Sequence, residues 1–306
     1  MTTSYLGVDG GRVAYEVAGE GPLVVCVPGM GDVRQIFRYT APALQAGGYR
    51  VAVMDLRGHG DSDATMSEYG DAPTARDLLA LIAHLGGPAI VVGSSMGAGA
   101  SVIAAAEAPD AISGLVLAGP FVRGGPTGFA KAMLRLALLK PWGPGVWKSY
   151  YRRFYPGRPP ADLATHIDLI AASMRRPGHW AAFQRTAFAG HAEAARKVGT
   201  GSTPALVVMG DKDPDWPDPV AEARWVAGAV RGETLLVPGA GHYPMTEYPE
   251  IVNPAVVAER RRRPGPSRDR RRARRPRDSS GRPGRGAAPW RRVRGPCRAC
   301  RRPRAW

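Results

Sequence analysis

The chain has 306 residues, with 42 Lys and Arg against 26 Asp and Glu and a formal charge of +16 at pH 7. Spread evenly, that charge would suggest a nucleic-acid binder, but residues 259–306 hold 20 Arg and 3 acids, leaving 22 basic and 23 acidic residues in 1–258, a net of −1. Three cysteines make no disulfide framework, and the stretch 78–106, free of Asp, Glu, Lys and Arg, is broken by Gly86-Gly87-Pro88 and does not read as a membrane span.

The opening "MTTSYLGVDGGRVAYEVAG" has no basic cluster followed by an apolar core, so no signal peptide is read and the cytoplasm is the default location. Gly10-Gly11 between two strand-like pieces predicts a hairpin at a sheet edge. Short apolar runs bounded by Gly or Pro follow: "LVVCV" (23–27), where Cys26 reads as a buried free thiol, then "VAVMD" (51–55), "AIVVG" (89–93) and "LVLAG" (115–119). Between the second and third of these, Ala75, Leu78, Leu79, Ile82 and Leu85 share one face of a helix predicted over 73–85. The alternation stops at Pro120. Residues 121–200 are richer in aromatic and basic residues, show no clear strands, and read as a helical cap over the carboxyl edge of the sheet. Strands resume with "ALVVM" (205–209) and "TLLVP" (234–238). Near-continuous apolar strands alternating with helices predict an α/β fold, a mostly parallel sheet covered on both faces, with its core in 1–120 and 201–258. Ligands of such sheets bind outside the carboxyl ends of the strands.

One of those ends carries "IVVGSSMGAGASVIAAA" (90–106), in which Gly93-Ser94-Ser95-Met96-Gly97 fits G-x-S-x-G between a strand and a helix. With 39 glycines in the chain the bare pattern is weak, and a structural glycine-rich turn is the plain alternative. The context favours more. A strand-to-helix turn this tight strains the Ser backbone, glycines relieve the crowding, and Oγ is left above the sheet at a helix N-terminus. Ser94 points elsewhere. A serine hydroxyl needs a base. Of six histidines, only His242 stands in a short loop after a late strand, "TLLVPGAGHYP". An acid to orient it should follow the preceding strand, where "ALVVMGDKDPDW" offers Asp211, Asp213 and Asp215; Asp213 is preferred, with Asp215 the fallback. Some of these acids could instead cap the helix starting near Pro219.

With these residues in place, 1–258 resembles an α/β-hydrolase of the esterase and lipase type. Ser95, Asp213 and His242 fall in that family's order of nucleophile, acid and base. "DLRGHGDSD" (55–63) is similar to its D-x-R-G-x-G-x-S segment, and "VPGMGD" (27–32) resembles its oxyanion loop, with Pro28 where many members have His. The resemblance implies that the backbone N–H groups of Met30 and Met96 hold an oxyanion. A serine at the turn argues against the aspartate-nucleophile members, the epoxide hydrolases and haloalkane dehalogenases. The implied activity is two-step acyl transfer on a small-molecule ester or related acyl substrate, with no metal or organic cofactor. Same-fold alternatives are acyl transfer, haloperoxidase-type perhydrolysis and carbon–carbon bond hydrolysis. Substrate identity and oligomeric state are not legible.

Arg57 and Asp61 read as fixing the loop after "VAVMD", and most of Trp142, Trp147, Tyr150, Tyr151, Phe154 and Tyr155 as packing. The segment 259–306 lacks Leu, Ile, Phe, Tyr and Met, so it cannot bury a core and is expected to be disordered. Its arginines could bind polyanions or anionic membranes without sequence preference, which makes a polyanion-binding protein the different-class alternative. Its abrupt start, within what looks like the last helix, "PEIVNPAVVA" (249–258), points instead to a reading-frame shift near codon 258. Cys297-Arg298-Ala299-Cys300 has the spacing of half a zinc site but no second pair, and reads as accident.

Overall fold

The computed structural model describes residues 2–125 and 127–258. The Arg-rich segment, with its expected disorder, frame shift and Cys297/Cys300 pair, lies outside the described residues. Among those described, eight strands form one sheet in the order β1-β2-β4-β3-β5-β6-β7-β8. β1 (Ser4–Val8) and β2 (Gly11–Ala18) make the edge hairpin, and β2 runs antiparallel to β4 (Arg50–Met54). The apolar runs β3 (Leu23–Val27), β5 (Ala89–Ser94), β6 (Ile112–Ala118), β7 (Ala205–Gly210) and β8 (Glu233–Val237) join β4 in parallel.

Helices fill the crossovers. α1 (Thr40–Ala46), α2 (Asp71–His84) and α3 (Met96–Glu107) precede β6. Between β6 and β7 come α4 (Gly128–Ala137), α5 (Gly143–Tyr151), α6 (Leu163–Arg175), α7 (His179–Ala189) and α8 (Ala192–Lys197). α9 (Pro219–Val230) leads to β8, which is followed by α10 (Pro244–Glu247) and α11 (Pro249–Ala258). α4–α7 follow one another after β6, whereas α8 packs back on α2 and α3. No helix is long and apolar enough to cross a membrane.

Successive strand residues face opposite sides, so each strand feeds two cores. Val25 and Val27 pack with Leu78 and Leu81 of α2, Ile103 of α3 and Val226 of α9. Val24 and Cys26 face Leu44 of α1, Val252 of α11 and aromatics of the insertion. Cys26 is wholly buried, and that burial pushes its thiol pKa up. The helix predicted over 73–85 starts at Asp71, and its buried stripe includes Leu81 while Leu79 and Leu85 are only half-buried. The stripe is wider than one face because α2 touches α3 as well as the sheet.

Candidate active site

β5 ends at Ser94 and α3 begins at Met96, so Ser95 alone makes the turn, with φ 53° and ψ −122°. A non-glycine residue held there stores roughly 1–3 kcal/mol of strain, which its surroundings must impose. They do so by hydrogen bonds at both ends. The Ser95 N–H donates to the Ala118 carbonyl (2.9 Å), and its own carbonyl accepts from Ala98 (3.0 Å) and Phe121 (3.2 Å). The flanking glycine is needed for close approach: a Cβ on Gly97 would lie 2.4 Å from the Val27 carbonyl oxygen. The loop after β3 presses on the turn from above, since a Cβ on Gly29 would stand 2.7 Å from Ser95 Cβ and 3.3 Å from Oγ. Ser94 is fully buried and its Oγ has no hydrogen-bond partner. Ser95 instead lines a cavity of about 320 Å³, shared with Met30, Met96, Phe121, Asp215 and His242.

His242 follows β8, in a loop whose backbone it ties down through its N–H to the Phe154 carbonyl (2.9 Å). Its ring rests on Phe154, with centroids 4.8 Å apart. Nδ1 is 2.8 Å from Asp213 Oδ2, and the other Asp213 oxygen accepts from the Asp215 N–H (3.0 Å). Asp215 stands 3.7 Å from the ring, and its Oδ1 accepts from the Tyr150 hydroxyl (2.7 Å). Asp213 is thus the partner of His242, and Asp215 a nearby second charge. The acid that caps α9 is neither of them but Asp218, which accepts from the Ala221 N–H at 2.9 Å.

Burial disfavours the imidazolium, but the charge and hydrogen bond of Asp213 and the charge of Asp215 outweigh it, and the His242 pKa is pushed up to about 9. Desolvation raises the Asp215 pKa in turn. The donor atoms of Asp213, Asp215 and His242 lie within 4.8 Å of one another, a grouping that could hold a cation. Here Nδ1, both Asp213 oxygens and Asp215 Oδ1 are engaged in hydrogen bonds among themselves, to the Asp215 amide and to Tyr150.

Among the described residues no hydrogen bond joins Ser95 Oγ to the His242 ring; the two share the cavity. Met30 and Met96, the residue that opens α3, line it as well. The arrangement therefore offers a hydroxyl on a strained turn and an imidazole held by a carboxylate in one largely apolar cavity.

Sequence reasoning missed a buried hub beside it. Asp32 accepts from the Val33 N–H (2.7 Å) and from the Tyr151 hydroxyl (2.6 Å), and lies 2.8 Å from His166 Nε2. Burial works to raise its carboxyl pKa, but His166 and these donors bring it below the ordinary aspartate value. The partners come from α5 and α6, more than a hundred residues away, so no local spacing announces them. Arg57 and Asp61 take the structural places expected of them: Arg57 Nη2 meets Asp77 at 2.7 Å, and Asp61 receives Arg34 at 2.8 Å and Arg176 at 3.2 Å. Of the aromatics expected to pack, Tyr151 and Tyr155 do so. Trp147, Tyr150 and Phe154 both pack on one another and line the cavity, while Trp142, just before α5, is half-exposed.

The family profile described as alpha/beta hydrolase fold matches residues 22–248. The chain is 28% identical over 274 residues to a 2-(acetamidomethylene)succinate hydrolase of Mesorhizobium japonicum, covering 82% of this chain and 92% of that one. It is 28% identical over 254 residues to a monoacylglycerol lipase of Mycolicibacterium smegmatis, covering 78% and 89%. An esterase structure from Exiguobacterium antarcticum superposes with a TM-score of 0.72 at 22% identity, over 84% of this chain and 98% of that one, a likeness of fold. The match over residues 22–248, on the strand order and turn described above, shows that the chain belongs to the alpha/beta hydrolase fold family.

Proposed function

We propose that the protein is a serine hydrolase that cleaves a carboxylic ester or related acyl substrate, with Ser95 as nucleophile, His242 as base and Asp213 as the acid that orients it. The observation that carries this reading is the His242–Asp213 hydrogen bond, closed in a buried loop and sharing one cavity with the strained Ser95. The hydrolase names of the sequence relatives support hydrolysis in general.

In the first half-reaction Ser95 Oγ attacks the acyl carbonyl while His242 Nε2 takes its proton. Asp213 keeps the other ring proton on Nδ1 and steadies the imidazolium. The carbonyl oxygen becomes an oxyanion, which the Met30 and Met96 amides receive; losing one such donor costs about 3 kcal/mol in comparable sites. The tetrahedral centre collapses, the alcohol leaves with the proton from His242, and an acyl-serine remains. Water, giving its proton to His242, attacks the acyl carbon, and the acid departs as Ser95 regains its proton. Catalytic hydrogen bonds in substrate-free sites are often open and tighten on binding, which accommodates the unmade Ser95–His242 bond. The helices of 121–200 serve in this reading as the cap that shapes the acyl pocket.

Labelling by a fluorophosphonate probe tests the reading. The full chain is expected to label and Ser95→Ala, checked for folding by circular dichroism, is expected not to. A folded chain that does not label, or a variant that still does, overturns it.

A further inference from the structure

α4 is apolar on both sides. Leu134, Ala137 and Leu138 face the cavity, while Phe129, Met133 and Leu136 point outward at 81%, 48% and 52% exposure. None of its residues from Gly128 to Ala137 is buried. Beyond it, Leu139, Trp142 and Val146 extend the apolar surface at 45%, 50% and 40% exposure, and the Trp142 Nε1–H fastens to the Leu136 carbonyl at 2.9 Å. Val146 also lines the cavity, so the outer patch runs to its wall. Lys131 and Arg135 hold the remaining side of α4, so the helix is amphipathic with an apolar arc wider than the cavity it covers, and a monomer in water rarely exposes so many large apolar side chains together.

The segment that carries the patch has charge of one sign. Residues 119–161 contain eight basic residues and no Asp or Glu. Arg123, Lys148 and Arg158 pair with Glu222, Asp168 and Glu250. Lys131, Arg135, Lys140, Arg152 and Arg153 have no acidic partner among the described residues, and Lys131, Arg135 and Lys140 lie on α4 or at its end. Large exposed apolar groups on a helix whose other side carries cations, with a tryptophan close by, match a membrane surface that offers acyl chains below and anionic headgroups above. A second copy of this chain would meet the same cations face to face, which opposes a symmetric dimer through the patch.

We propose that the outer face of α4, continued through Leu139, Trp142 and Val146, docks on an anionic lipid surface. On the serine-hydrolase reading, this sets the cavity to receive acyl substrate from the lipid phase; the docking itself does not depend on that reading.

The test is co-sedimentation of the full chain with vesicles of phosphatidylglycerol and phosphatidylcholine at physiological salt, compared with the Phe129→Ser/Met133→Ser/Leu136→Ser variant. These side chains are largely outside the core, and circular dichroism checks the fold. The wild-type chain is expected to bind and the variant to bind about tenfold or more weakly. Ser95→Ala is expected to bind like wild type, so failure of probe labelling and failure of docking are read separately. Equal binding by wild type and the triple variant overturns the proposal and assigns the binding to charge alone, as from the arginines of 259–306. No binding by either overturns it too, as does wild-type self-association that the variant abolishes without vesicle binding.

Discussion

At the residue scale, His242 sets a conflict that can be measured. Its neighbours push its pKa up to about 9, yet on the proposed mechanism the ring must be neutral to accept the Ser95 proton. Ester kcat/KM is therefore expected to climb through neutral pH, to reach half its plateau near pH 9 and to level off only above that. Asp215→Asn removes an anion 3.7 Å from Nδ1 and is expected to move the climb to lower pH while keeping most of the plateau rate. An unmoved profile would show that Asp215 does not act through its charge. Asp213→Asn leaves the ring without the carboxylate that holds its tautomer and is expected to lower kcat by about 10⁴. Ser95, Asp213 and His242 stand out in the chain because each lies in a turn just past a strand, where glycines and spacing are local signs. Asp32 could not. Its partners, Tyr151 and His166, reach it across 119 and 134 residues.

At the scale of elements, the loop after β4 is held by buried charge. The Arg57 side chain is 4% exposed and Asp77 on α2 is 2% exposed. Arg57→Ala leaves that carboxylate buried without its partner, and a loss of about 3–5 kcal/mol in urea-denaturation stability is expected. A change under 1 kcal/mol would mean that water or a neighbour takes the place of the guanidinium. Most strands were legible to within a residue, since continuous apolar runs closed by Gly or Pro have few other uses in a chain with helical spacings between them. β6, however, begins at Ile112, three residues before the run read as its start, because Ser113 and Gly114 interrupt the apolar pattern. The insertion was legible only as a gap in the alternation. Its helices pack on aromatics that also line the cavity, so composition could not separate packing from pocket, and the outward turn of Trp142 had no sign of its own.

At the scale of the whole molecule, the same titration couples to stability. The folded state binds the His242 proton more tightly than the unfolded chain, whose histidine titrates at about 6.5. The stabilisation is thus fully present below pH 6.5 and is lost as pH rises through about 9. Thermal melts across that window are expected to show Tm falling faster for the wild-type chain than for His242→Gln; parallel curves would refute the coupling. Asp32, with its pKa lowered, contributes in the opposite direction, and its share is lost in acid.

Asp32 has a consequence for how such a protein can be remade. One carboxylate, rooted two residues past Met30, receives one group from α5 and another from α6. A chimaera that grafts a foreign insertion between β6 and β7 strands that carboxylate unless the graft brings its own hydroxyl and imidazole to the same spot. The donor of new specificity must therefore be chosen by what it presents to Asp32 before what it presents to the substrate.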